Sequence, residues 1–207
     1  MINRIALVMA CLAAPLSAQP AVTSSPVQAP APQEDLVPVA IDTSVGRIVV
    51  ALDRGRASIT TANFLRYVDA HRLDGIYFYR AMRTGAEAGL VQAGVRDSST
   101  LFPPIAHEPT SQTGLSHVDG ALSMARFAPG SATADFSIMV GPQFYLDAGP
   151  GSGGDGLGYA VFGRVVEGMD VVRRILAAPT SPTEGEGPMR GQMLSPRIRI
   201  SAVRRLD

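Results

Sequence analysis

Apolar and polar positions change their spacing several times along the chain, and each change marks a segment. From Met1 to Gln19 a single charge, Arg4, precedes an apolar run from Ile5 to Leu16. From Gln19 to Pro38 no period survives, because Pro20, Pro26, Pro30, Pro32 and Pro38 stand among Ala, Ser, Gln and Val. Such a stretch buries too little apolar surface to offset the entropy of ordering it, so it reads as a flexible spacer. Strand spacing sets in at Val37: the β-rich runs Val37 to Thr43 and Arg47 to Leu52 are split by Ser44-Val45-Gly46, which predicts a hairpin. Ser58 is placed to cap a helix from Ile59 to about Ala70, with Ala62, Leu65 and Val68 on one side and Phe64 four before Val68. Between Ile76 and Phe162 come short apolar runs punctuated by Gly, Pro and Asp, without a long helical pattern. A second helix follows from Met169 to Ala177, where Val171/Ile175 and Val172/Leu176 pair at four-residue spacing and Pro179 ends it. Ile198, Ile200 and Val203 predict a closing strand. Many short strands with two helices point to a mostly β fold, a closed antiparallel barrel rather than a parallel α/β sheet.

The opening segment has the form of an export signal: Arg4 as the positive region, an apolar stretch too short to span a membrane, and the small residue Ala18 where a signal peptidase would cut. Acylation at Cys11 after Val8-Met9-Ala10, as in a lipoprotein, is the lesser alternative. The expected organisation is a signal peptide at 1–18, a Pro/Ala-rich linker at 19–36 and one folded domain at 37–207, located in the periplasm or secreted. Cys11 is the only cysteine among 207 residues, so cleavage after Ala18 removes disulfide and thiol chemistry. Charged residues are 17% of the chain and balance at 18 cationic against 18 anionic. That leaves no electrostatic footprint for nucleic acid or an anionic membrane.

Common catalytic motifs fail one by one. His107-Glu108 begins like a zinc-protease helix, but Pro109 blocks the helix and no second His follows at the required spacing. With three His (His71, His107, His117) and no cysteine beyond Cys11, a metal site is not expected, nor is a cofactor. Gly149, Gly151 and Gly154 match a dinucleotide fingerprint, yet no helix-forming sequence follows to meet a phosphate, and Ala148 to Gly158 reads as a plain Gly-rich loop. A G-x-S-x-G nucleophile elbow is absent from the sequence.

A series of segments in fixed order carries more. These are Gly46-Arg47-Ile48-Val49, Asn63-Phe64 with Tyr67-Val68, Asp74 to Arg80, Gln92-Ala93-Gly94, Gly120-Ala121-Leu122-Ser123-Met124-Ala125, and Val161-Phe162-Gly163-Arg164-Val165-Val166-Glu167-Gly168-Met169-Asp170. From Val37 onward the chain resembles the cyclophilin family of peptidyl-prolyl cis-trans isomerases. The resemblance implies an eight-stranded barrel capped by two helices, a monomer, and proline-containing peptides and unfolded exported proteins as partners. It places Arg80 on the family's catalytic arginine, Gln92 on the glutamine that holds substrate backbone, and Ala125-Arg126 on the strand lining the peptide groove. Leu90, Asp135, Ser137, Tyr145, Leu146 and Tyr159 fall on further groove positions.

Departures from the family pattern accompany the matches. The span from Arg80 to Gln92 is longer than the family's, with the extra residues in Arg83 to Gly89, and Gly89 stands where an aromatic wall is expected. Counting without gaps from Ala125, Asp135 replaces a glutamine and Ser137 the proline-pocket phenylalanine, while Tyr145 and Tyr159 replace tryptophan and histidine. Met82, Leu90 or Phe127 would have to fill the space, and Asp135 would bring a carboxylate near Arg80. The resemblance therefore leaves two readings: an exported isomerase, or a non-catalytic cyclophilin-fold module that binds peptide through an altered groove.

Overall fold

The computed structural model describes residues 34–152 and 154–207; the expected signal peptide and most of the expected linker lie outside them. Strand β1 (Leu36–Thr43) pairs antiparallel with β2 (Gly46–Asp53), in register from Leu36↔Asp53 to Thr43↔Gly46. Thr43 ties their turn, its hydroxyl donating to the Gly46 carbonyl at 2.6 Å while accepting from the Val45 N–H at 3.1 Å.

Helix α1 (Ser58–Asp69) forms where expected, but Ser58 does not cap it. The N-cap is Ala57, which has no capping side chain, and the buried carboxylate of Glu108 accepts from the N–H groups of Ile59 (3.2 Å) and Thr60 (2.9 Å) instead. A negative group from a distant loop thus meets the positive end of the helix. Ala62 faces solvent, because the buried side of α1 also carries polar residues with partners. The Thr61 hydroxyl reaches the Asp53 carbonyl and the Asn63 amide donates to the Thr133 carbonyl.

The chain continues through β3 (Tyr77–Arg83), β4 (Gly89–Gly94), α2 (Thr110–Thr113), β5 (Ala121–Met124), β6 (Phe136–Val140), β7 (Ala160–Glu167), α3 (Met169–Ala177), β8 (Thr180–Ser181) and β9 (Met193–Arg205). All pairings are antiparallel, in the order β1-β2-β7-β5-β6-β4-β3-β9, and β9 pairs back onto β1. Eight strands therefore close a barrel, which leaves none of the eight with a free edge. The two-residue β8 adds to β9 outside the circle. Among the described residues three α-helices accompany the barrel rather than two: α2 is a single turn after Pro109, too short and polar to leave a periodic signal.

Helix α3 contacts β2 as well as β3, β4 and β6, strands from separate arcs of the circle, so it lies across a barrel mouth. Its Val172 and Ile175 are fully buried, as the four-residue spacing requires. Phe64 of α1 enters the core between Phe136 and Phe162, with ring centroids 5.2 and 5.4 Å away. Ile41, Ile48, Val50, Leu52, Phe78, Leu122 and Ile138 complete the interior. A second, smaller cluster of Leu90, Ala121, Met139 and Val161 lies on the other face of the strands, and the site is built over it.

Candidate active site

Four strands carry one row of side chains across their outer face. Arg80 on β3 is the register partner of Gln92 on β4, Gln92 of Ser137 on β6, and Ser137 of Ser123 on β5. Simple alternation from the buried Phe78 would send Arg80 into the core. A bulge between Phe78 and Arg80 shifts the register, so Arg80 and Met82 face outward while Ala81 returns to the core.

The row opens into a cavity of about 440 Å³ lined by all ten residues expected at the groove: Arg80, Leu90, Gln92, Ala125, Arg126, Asp135, Ser137, Tyr145, Leu146 and Tyr159. The guanidinium of Arg80 is oriented by two carboxamides. Its Nε donates to Gln192 Oε1 at 2.8 Å and its Nη1 to Gln92 Oε1 at 2.9 Å, while Nη2 lies 3.3 Å from Met82 Sδ. Burial draws its pKa down from the ordinary value, opposed by Tyr79, Tyr145 and Tyr159. An arginine starts so far above neutrality that it stays cationic.

Asp135 does not approach Arg80 in the way the sequence predicts. Its carboxylate pairs with Arg96 at 2.5 Å, and the Arg96 guanidinium also covers the Tyr79 ring at 4.2 Å. Gly94 makes room for this arrangement: a Cβ there would stand 1.4 Å from Asp135 Oδ1. Burial still pushes the Asp135 carboxyl above its usual value, against the pull of Arg96.

Arg126 is also placed differently, since β5 ends at Met124 and Arg126 follows the strand. It donates to Asp155 at 2.8 Å and to the Gly158 carbonyl, and stacks 5.1 Å from the Tyr159 ring, so it braces the Gly-rich loop against the groove.

The extra residues between Arg83 and Gly89 form the tip of the β3–β4 hairpin, where Thr84 N–H donates to Ala88 O at 2.9 Å. Gly89 cannot carry the missing aromatic: its φ is +154°, and a Cβ would lie 2.0 Å from the Met82 carbonyl oxygen. The apolar wall comes instead from Met82 and its register partner Leu90, with Met139, Met189 and Met193. Met139 was legible from strand alternation after Ser137. Gln192, Met189 and Met193 lie about a hundred residues from Arg80 in sequence and carried no local signal.

Sequence reading also missed a buried chain beneath the floor. Ser123 Oγ lies 2.8 Å from His117 Nε2, and His117 Nδ1 lies 2.6 Å from Asp147 Oδ1. Burial lowers the His117 pKa and outweighs Asp147, which favours the neutral ring. Nδ1–H then donates to Asp147, and Nε2 accepts from the Ser123 hydroxyl. The His117 and Gln143 backbones add bonds, His117 N–H to Asp147 Oδ1 at 3.0 Å and Gln143 N–H to the His117 carbonyl at 2.7 Å. His117 therefore staples the turn bearing Tyr145 and Leu146 to the pocket floor. The order Ser, His, Asp does not make a hydrolase here. Ser123 is paired on both sides within the sheet, where backbone N–H groups serve the ladder and not an oxyanion.

Three comparisons place this geometry among known proteins. Residues 38–203 match the family described as cyclophilin type peptidyl-prolyl cis-trans isomerase/CLD. The chain is 38% identical over 149 residues to a peptidyl-prolyl cis-trans isomerase of Streptomyces antibioticus, spanning 71% of this chain and 87% of that one. It is 34% identical over 166 residues to peptidyl-prolyl cis-trans isomerase A of Dickeya dadantii, 79% and 82% of the two chains. A Cryptosporidium parvum cyclophilin type isomerase superposes with a TM-score of 0.65 at 16% identity, covering 84% of this chain and 99% of that one. The same parasite protein was also crystallised in the presence of the dipeptide Ala-Pro, and that structure superposes with a TM-score of 0.63. A barrel of eight antiparallel strands, an outward Arg80 and Gln92 in register, and a family match over nearly the whole folded part agree: the chain belongs to the cyclophilin-type peptidyl-prolyl cis-trans isomerases.

Proposed function

We propose that Arg80 is the group through which this chain accelerates X-Pro isomerisation, and that its substrates are exported proteins while they fold. The barrier to rotation is lost amide resonance, about 20 kcal/mol, so uncatalysed exchange takes tens to hundreds of seconds. No covalent step is needed. In the twisted state the prolyl nitrogen regains its lone pair and accepts a hydrogen bond that the planar amide cannot, so a donor aimed at that nitrogen favours the transition state selectively. The observation that carries this reading is the guanidinium held by two neutral carboxamides in a cavity whose apolar wall is Met82, Leu90 and Met139, with no carboxylate among the described residues paired to it. Gln92 then faces substrate backbone, and Met82, Leu90 and Met139 receive the proline ring.

Arg80→Ala is expected to lower turnover about a hundredfold or more while leaving the melting temperature nearly unchanged. Arg80→Lys should recover only part of the rate, because a point charge lacks the planar fork. NMR exchange on a proline tetrapeptide reads both. Parent-like turnover in Arg80→Ala would remove the assignment and return the groove to a peptide-binding role.

The exported context rests on the segment from Arg4 to Ala18 and the absence of cysteine after Cys11. Mature protein beginning at Gln19 in the periplasm or medium, running as a monomer, is the expected result. Acylation at Cys11 would replace it with a membrane-anchored form.

A further inference from the structure

Phe127 is 94% exposed, although burial out of water stabilises a phenylalanine ring. It is not on a loose loop. Its N–H donates to Ser131 Oγ at 3.0 Å, and that hydroxyl donates onward to the Ala128 carbonyl at 2.6 Å, so a closed turn presents the ring. The ring stands on the rim of the Arg80 cavity, together with exposed Tyr145 and Met189. Phe127, Tyr145 and Met189, large side chains in water, are thus gathered around one opening, continuous with the groove of an isomerase family.

The carboxylates at that opening are already matched. Arg96 is paired with Asp135, Arg126 with Asp155, and the Arg80 edge is engaged by Gln92 and Gln192. A substrate side chain next to the proline therefore meets no unpaired carboxylate among the residues that line the cavity, and discrimination falls to apolar contact.

We propose that Phe127 is a specificity-determining residue that takes a large aromatic or aliphatic side chain flanking the substrate proline. The substrate class is then X-Pro segments embedded in apolar sequence, the kind an unfolded chain exposes and a folded one buries. The proposal rests on the reading of the Arg80 cavity as the proline site.

The test uses two families of proline peptides. One varies the residues before the proline and the other those after it, each between Phe or Leu and Gly or Ser. Binding is read by titration followed by NMR and turnover by exchange, in parent, Phe127→Ser and Phe127→Leu. In at least one family the parent should favour the apolar peptide about tenfold, the equivalent of about 1.4 kcal/mol. Phe127→Ser should bring that ratio close to one, and Phe127→Leu should restore most of it. A parent ratio near one in both families overturns the proposal. So does a ratio that survives Phe127→Ser, or an equal loss for apolar and polar peptides. Binding preference that collapses in Phe127→Ser while Arg80→Ala keeps full turnover would leave the rim standing and remove the Arg80 reading instead.

Discussion

Arg80 shows how neutral partners serve a cationic catalyst. A carboxylate against the guanidinium would orient it and also absorb its field, whereas Gln92 and Gln192 accept from Nη1 and Nε and leave the charge for a developing lone pair. Gln192 is itself fixed, its amide donating to the Pro188 carbonyl at 2.8 Å and its backbone carbonyl accepting from Ala81. Gln192→Ala removes one hydrogen bond to a charged group, of the order of 1.5–3 kcal/mol, so kcat should fall about 10- to 100-fold with little change in KM. Gln192→Glu restores an acceptor but adds a negative charge, and its kcat should fall below that of Gln192→Ala. Steady-state exchange rates with a thermal melt for each variant check this. Parent-level activity in Gln192→Glu would mean that the guanidinium charge is not what the reaction uses.

Individual elements owe their ends to distant residues. The N-terminus of α1 is satisfied by Glu108, about fifty positions later, and the outward turn of Arg80 comes from a bulge in β3. Glu108→Ala leaves the N–H groups of Ile59 and Thr60 without their acceptor beside a buried surface. It should lower unfolding stability by about 1–3 kcal/mol, and Glu108→Gln, which keeps an acceptor oxygen, should lose less. Urea denaturation of the three proteins measures it. Equal stability in Glu108→Ala would show that water replaces the carboxylate at no cost.

The whole barrel responds to pH through groups pushed in opposite directions. His117 titrates in the fold below its ordinary 6.5, so the native state binds fewer protons than the unfolded one, and the stability this provides is lost as pH falls below that value. Asp69, Asp74 and Asp155 are held below the usual 3.8 by Arg205, Arg204 and Arg126, Asp155 at about 2, and they act the same way in a more acid window. Asp135 has the opposite sign: burial raises its value, so it adds stability as pH falls through that value to 3.8, ahead of the loss from the paired aspartates. Denaturation midpoints should therefore begin to drop as pH falls below about 6.5, before the arginine-paired carboxylates titrate, and His117→Asn should flatten that first decline. Asp147 faces the same ring, so a slope that survives His117→Asn would assign the effect elsewhere.

Strand and helix spacing along the chain determined the β1–β2 hairpin, α1, α3 and a mostly β closed fold, because apolar periodicity is a local property that a core must satisfy. Ordered short motifs were enough to name the residues that gather at the groove, Arg80, Gln92 and Ser137 among them. What they could not contain is which groups meet across long separations. Asp135 binds Arg96 and not Arg80, its carboxylate occupying the space that a Cβ on residue 94 would fill. The missing aromatics are replaced by Leu90 and by methionines from β3, β6, β9 and the segment before β9, and Arg80 faces outward only because a bulge breaks the alternation that sequence reading must assume. Glu108 and His117, unpromising as isolated letters, became a helix cap and a staple once folding buried them, since a buried polar group is stable only with partners and those partners are chosen by the tertiary structure.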